Sequence, residues 1–373
     1  MSLRNLYLIG HCLSLDEHPR FRETIIAQFA DPEFDWDDFI WTCSNHLVFP
    51  VIYLKFKEYD LLDEIPEELK SHLEEIYRLN RIRNEQILIQ MKQITATLNK
   101  ADISPIYLKG TGNLIDGIYS DIGERIIGDI DFLVPEKDFL TAAELFQKEE
   151  YTICKPTVEP IDQFKLKHYP RLWKEDEVAD IEIHRLLVNI KYSKHFSADF
   201  VRKSKKAPIN HTGCYVLADE HKVILNFIHS QLTNAGHLLG VATLRDVYDI
   251  YCYAKRTDLN KIPQATRYMQ KCIAYLKISE KLLNLNGSFY PEETIRSRMY
   301  RYKHDMNFTS EFIYNFNRMI WILAIGIGHG ISHIRETITH PKLFRKNIGI
   351  LFNPSWYMQT IKIGWAKYNG KKY

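Results

Sequence analysis

The sequence predicts an α+β protein: a small mixed β-sheet flanked by N-terminal and C-terminal helical regions. Three observations predict it. Apolar residues recur at helical spacing through residues 1–100 and again after residue 216. Between these regions, segments near 106–108, 128–135 and 180–188 read as short strands bounded by Gly and Pro. Finally, Asp129 and Asp131 stand one residue apart in the apolar run "RIIGDIDFLVP", where a buried strand rarely spends two carboxylates.

The 373 residues suffice for two or three compact units. With 45% hydrophobic and 26% charged residues, the composition excludes global disorder. Six cysteines are scattered without CxxC spacing, which argues for free thiols rather than a disulfide framework or a zinc site. The N-terminal "MSLRNLYLIGHCLSLDEHPR" has a short apolar run followed by Asp16 and Glu17. It lacks a signal-peptide pattern, so a cytoplasmic location is expected. The net charge of +2 hides an asymmetry: residues 301–373 carry 11 Lys/Arg against 3 Asp/Glu.

The elements follow in order. In residues 1–100, a helical region, Ile65–Lys100 is the clearest segment, with Ile76, Leu79, Ile82, Ile87, Ile89, Met91 and Ile94 between charges. Pro66 suits its start, and the segment holds one helix or two. Residues 101–215 are the mixed core. Ile106 and Leu108 alternate with Tyr107 and Lys109 as in a strand, Gly110 and Gly112 mark a turn, and "NLIDGIYSDI" reads as a short helix. "GDIDFLVP" is a second strand, closed by Pro135. In "EKDFLTAAELFQKEEY", Phe139, Ala142, Ala143 and Phe146 share a helix face, and "DIEIHRLLV" (Asp180–Val188) is a third strand. Residues 216–300 are helical again and close on a linker, Leu283–Glu293. Residues 301–373 form a basic, aromatic-rich helical tail.

Side chains two apart on a strand point the same way, so Asp129 and Asp131 project together while Ile130 and Phe132 project to the other face. Paired carboxylates repel unless a cation neutralises them. Mg²⁺ is the natural candidate, because it takes oxygen ligands and bridges carboxylates to phosphates. A strand-end pair that merely faces water is the alternative. Two further features favour the metal. A strand running into Gly110-Thr111 offers close backbone approach to phosphate oxygens. Glu182, between Ile181 and Ile183, supplies a third carboxylate, as a two-metal site requires.

"LKGTGNL … ER…GDIDFLV … ADIEIHRLL" resembles the family called uncharacterised nucleotidyltransferases, within the DNA polymerase β-like nucleotidyltransferase superfamily. The resemblance covers Ile106–Leu187 and extends weakly into "TLRDVYDI". It implies that Asp129, Asp131 and Glu182 bind the metals, Mg²⁺ or Mn²⁺, with Asp180 as the substitute for Glu182. It implies that Gly110 and Thr111 contact nucleotide phosphates, and that Lys109 and Arg125 offset their charge. The chain departs from the broad superfamily pattern in two respects: eighteen residues separate Gly110 from Asp129, and Thr111 stands where Gly or Ser is usual.

Other residues admit two readings each. His184 shares the face of Glu182; it positions the acceptor, bonds a metal-bound carboxylate, or is a satisfied structural histidine. Arg245 and Asp249, four apart on a helix, pair with each other, or the helix closes over the nucleotide with Arg245 near a phosphate. His229 reads as core. The basic "RKSKKAP" (Arg202–Pro208), with "KLFRKN", "GKKY" and the tail aromatics Phe344, Trp356, Tyr357 and Trp365, admits nucleic acid as a partner without favouring it. Met319–Ile334 is too short to span a bilayer. It reads as a buried helix, with peripheral docking on a membrane as the alternative.

The expected activity is transfer of a nucleoside monophosphate from a nucleoside triphosphate to an acceptor hydroxyl of a small molecule, protein or RNA, with release of pyrophosphate. The alternative is a non-catalytic nucleotide-binding or scaffold protein that keeps the fold.

Overall fold

The computed structural model describes residues 2–154, 166–208, 211–285, 287–310 and 312–323. The N-terminal region is helical: α1 (Leu3–Leu13), α2 (Phe21–Phe29), α3 (Trp36–Asn45), α4 (Phe49–Glu58) and α5 (Glu67–Asn99). Helix α5 is one continuous rod of 33 residues, about 50 Å long at the usual rise. Pro66 stands at its N-cap, and Glu67 and Glu68 occupy the first turn, where carboxylates suit the helix dipole. Its apolar face differs from the expected one. Leu79, Ile82 and Ile89 are exposed, while Asn80, Asn84 and Gln90 are buried. The polar residues face inward because they cap backbone carbonyls of the neighbouring core.

That core comprises β1 (Ile106–Tyr107), α6 (Lys109–Ile115), β2 (Asp129–Leu133), α7 (Phe139–Lys148), β3 (Thr152–Ile153), β4 (Leu172–Trp173), β5 (Asp180–His184), α8 (Ile190–Ser193), α9 (Ala198–Lys203) and β6 (Tyr215–Val216). The strands form one mixed sheet in the order β3-β4-β5-β2-β1-β6, an α+β arrangement with helices around it. Strands β2 and β5 run parallel in full register, placing Asp129 beside Asp180, Asp131 beside Glu182 and Leu133 beside His184. Gly110 and Gly112 do not form a turn; they lie in the first turns of α6. A Cβ on Gly112 would stand 2.6 Å from the Tyr107 carbonyl oxygen, so only glycine lets α6 pack this closely on β1.

One sheet face is apolar. Ile130, Phe132, Ile181 and Ile183 pack there with Ile87, Met91 and Ile94 of α5 and with Phe139, Ala142, Ala143 and Phe146 of α7. Burying each of the Ile, Phe and Met side chains contributes about 1.5–3 kcal/mol. The opposite face carries the acids and meets α10 (Asp219–Phe227), a π-helical turn (Ile228–Thr233) and α12 (Leu244–Ala254); α11 (Gly236–Leu239), α13 (Met269–Leu283) and α14 (Ile295–Thr309) complete the described C-terminal helices. The N-terminal helices share one apolar cluster with α10, α12 and α13, so the N-terminal helices and the helices after the sheet close on each other.

All six cysteines are free. The basic loop is tied down: Lys206 pairs with Asp116 and Asp219 at 2.9 and 2.8 Å, and the Lys205 amine lies 3.7 Å from the Tyr215 ring centroid. Residues 312–323 are helical. Of the run read as a buried helix, Trp321 is buried, but Met319, Ile320 and Leu323 are exposed; residues 324–334, and the tail motifs beyond, lie outside the described residues. Among the described residues, no helix is long and apolar enough to cross a membrane.

Candidate active site

The site begins with the β2–β5 register. Because the two strands are parallel and unslipped, their polar residues share one face, and the ligand atoms of Asp131, Glu182 and His184 lie within 4.8 Å of one another. Asp131 is 2% exposed. Its Oδ1 accepts from Lys109 Nζ at 2.7 Å and lies 2.8 Å from His184 Nε2. Burial works against the Asp131 charge, but Lys109 and His184 outweigh it and hold this carboxyl well below its ordinary value. Glu182 is pushed down to about 2: burial opposes ionisation, and the His184 hydrogen bond and Lys109 overcome it. Asp129 moves the other way, raised by burial and by the adjacent Asp131.

Lys109 reaches Asp131 from an unusual backbone position, φ +50°, in the left-handed region. A non-glycine residue held there costs about 1–3 kcal/mol, and such strain clusters at functional sites. His184 is fully buried, with Nδ1 3.2 Å from the Leu186 carbonyl oxygen and Nε2 on Asp131. Both ring nitrogens are therefore engaged within the protein. Thr111 spends its hydroxyl on the Leu108 carbonyl at 3.0 Å, leaving its backbone as the part that could meet a ligand.

Arg171 was not singled out in the sequence. It donates to Asp129 Oδ2 at 2.7 Å and to Glu182 Oε1 at 2.9 and 3.2 Å, and lies 3.7 Å from Asp180. It stands immediately before β4, a strand of two residues with no periodicity to read; antiparallel pairing of β4 to β5 brings Arg171 over the acids. Asp180 is the most exposed of the four carboxylates, at 39%.

Beside Lys109 lies a cavity of about 70 Å³, between the sheet and helices α10 and α12, walled by Gly110, Asn113, Arg125, His229 and Arg245 among others. That is room for a small polar group or a few waters, not for a whole nucleoside. The Asn113 Oδ1 is buried with no partner. His229 belongs to this wall, and burial and Lys109 push its imidazole down to about 3. The Arg245–Asp249 pairing is corrected: Asp249 instead accepts both arms of Arg125, each at 3.0 Å, and also the Tyr119 hydroxyl at 2.8 Å. Arg245 lies 3.5 Å from Asp246. Arg125 thus reaches the cavity wall, but its fork is spent on α12.

Helix α5 holds the loop before β2. Asn84 Nδ2 donates to the Ile122 and Arg125 carbonyls at 2.7 and 2.9 Å, and Asn80 Nδ2 to the Gly123 carbonyl at 2.7 Å. Arg83 Nη2 donates to Gly128 and Val178, bridging the starts of β2 and β5.

The donor set fits a hard divalent cation. It is dominated by carboxylate oxygens, as Mg²⁺ and Mn²⁺ prefer, and Asp131, Glu182 and His184 bring their ligand atoms within 4.8 Å of one another. A family model described as "Uncharacterised nucleotidyltransferase" matches residues 32–272. No curated protein and no solved structure matches the chain.

Proposed function

The chain belongs to the uncharacterised nucleotidyltransferase family, and from that premise we propose that it transfers a nucleoside monophosphate from a nucleoside triphosphate to an acceptor hydroxyl, releasing pyrophosphate. The observation that carries this reading is the unslipped β2–β5 register, which puts three carboxylates on one sheet face beside Lys109.

Asp129, Asp131 and Glu182 would hold Mg²⁺ or Mn²⁺. A divalent cation bound there supplies charge neutralisation for the phosphates and a lowered pKa for the attacking hydroxyl. The protein supplies the rest by positioning and preorganised charge. His184 fixes the orientation of Asp131 from behind. The Lys109 amine, raised because Asp131 and Asp129 outweigh its burial, stays cationic and can turn toward a phosphate oxygen. The Gly110 backbone lines the same cavity, with Thr111 the next residue to offer its backbone, and Arg245 is the cation of α12 to follow, since Arg125 already serves Asp249. Arg125 then acts by locking α12 over the site.

The test is Mg²⁺- or Mn²⁺-dependent binding of a nucleoside triphosphate, followed by pyrophosphate release with an acceptor from cell extract. The expected result is release by the wild type and none by Asp129→Asn/Asp131→Asn. No metal-dependent triphosphate binding by the wild type would sink the proposal. Binding without release by any acceptor fraction would favour the scaffold reading.

A further inference from the structure

Helix α14 turns a second face outward, away from the core it shares with α13. Ile295, Met299 and Tyr302 are 69%, 68% and 70% exposed. Their spacing of four and three residues makes them one stripe. With Leu238 of α11 they line a groove rimmed by Lys271, Arg296, Arg298 and Lys303, and among the described residues no carboxylate lines it. The cations act on one another: burial, Arg296 and Lys191 hold the Lys271 amine below its ordinary value. Burial, Lys271 and Arg296 push His237 down to about 4. Residues 312–323 continue the pattern. Phe312, Phe316, Met319, Ile320 and Leu323 recur at helical spacing and are 78%, 48%, 50%, 40% and 50% exposed. Soluble monomers rarely leave apolar surface of this extent bare.

Charge selects the occupant. A second copy placed symmetrically would set these four cations against their own images. The chain's own residues 324–373 carry eight Lys/Arg against one Asp/Glu, so they bring the same sign. The partner must be anionic and apolar at once. An acidic peptide in the groove would answer the α14 stripe and leave the stripe over 312–323 bare. An extended interface answers both.

We infer that the face formed by α11, α14 and residues 312–323 docks on an anionic lipid bilayer. The cations meet the headgroups, and the two apolar stripes enter the headgroup–acyl boundary. This inference is independent of the nucleotidyl-transfer reading. It would carry the enzyme to acceptors held at a membrane surface.

Co-sedimentation of the full chain with phosphatidylcholine vesicles, with and without phosphatidylglycerol, tests it. The chain should pellet with the anionic vesicles, remain soluble with the neutral ones, and be released by added salt. Arg296→Glu/Arg298→Glu should lower partitioning by at least about twentyfold, at about fivefold per cation lost. Met299→Ser/Phe316→Ser should lower it with the charges intact. All four side chains are exposed, so the variants should keep the wild-type melting temperature and circular dichroism. Failure to pellet with anionic vesicles, or equal pelleting of the charge-reversed variant, overturns the inference. Capture by immobilised polyglutamate without vesicle binding reassigns the face to an acidic protein and overturns it equally.

Discussion

Asp131 is the buried carboxylate at which the Lys109 and His184 contacts of the site converge. It holds Lys109 in place, and it is the group His184 orients. Asp131→Asn keeps the shape and removes the charge. Breaking a buried ion pair costs about 3–5 kcal/mol, so the melting temperature should fall clearly. Activity should drop by about a hundredfold or more, the scale of one lost preorganised electrostatic contact. Arg171 offers the complementary experiment. It is the counter-ion for Asp129 and Glu182, and a divalent cation would take over that role. Arg171→Gln should melt below the wild type in chelator and recover on adding Mn²⁺, with tighter Mn²⁺ binding by calorimetry than the wild type. Equal Mn²⁺ affinity in both proteins would remove Arg171 from competition for the acids.

At the scale of elements, the site depends on how closely short pieces pack. Gly112→Ala would place a methyl 2.6 Å from the Tyr107 carbonyl oxygen. Helix α6 must then shift, at about 1–3 kcal/mol, and Lys109 at its start shifts with it. A melt and a pyrophosphate-release assay should both register the change. Asn84→Leu would strip two carbonyls of the loop before β2 of their donor, at about 1–3 kcal/mol for each group left unsatisfied. Asn84 also explains where the reading of α5 failed. Apolar periodicity selected Leu79, Ile82 and Ile89, yet the buried stripe runs through Asn80 and Asn84, because this helix faces backbone carbonyls there rather than apolar side chains.

At the scale of the whole molecule, the N-terminal helices are joined to α12 through Asp16. Its carboxylate lies 3.0 Å from Lys55 of α4 and 2.5 Å from Lys255 at the end of α12. Burial opposes the charge, but Lys255, Tyr251 and Lys55 outweigh it and push the group down to about 2. The unfolded carboxyl titrates near 3.9. Its contribution to stability is therefore complete above about pH 4 and is lost as the pH falls toward 2. The melting temperatures of the wild type and Asp16→Asn should differ at neutral pH and converge over that window. A gap that persists at pH 2 would show that Asp16 acts through packing instead.

The sequence by itself determined which acids the central strands bring together. The period-two rule put Asp129 and Asp131 on one face, and the apolar-acid-apolar pattern marked Glu182 as their partner, because both signals are local to a strand. It also determined the helical flanks and the free thiols. Tertiary structure alone decided which cations meet those acids. Arg171 is placed by the pairing of a two-residue strand, and Arg125 meets Asp249 across 124 residues of chain. It also decided that α5 turns its asparagines inward and that α14 leaves an apolar, basic face bare. Periodicity states which side chains share a face. It does not state what that face meets, because the partner comes from elsewhere in the chain and is fixed only when the core closes.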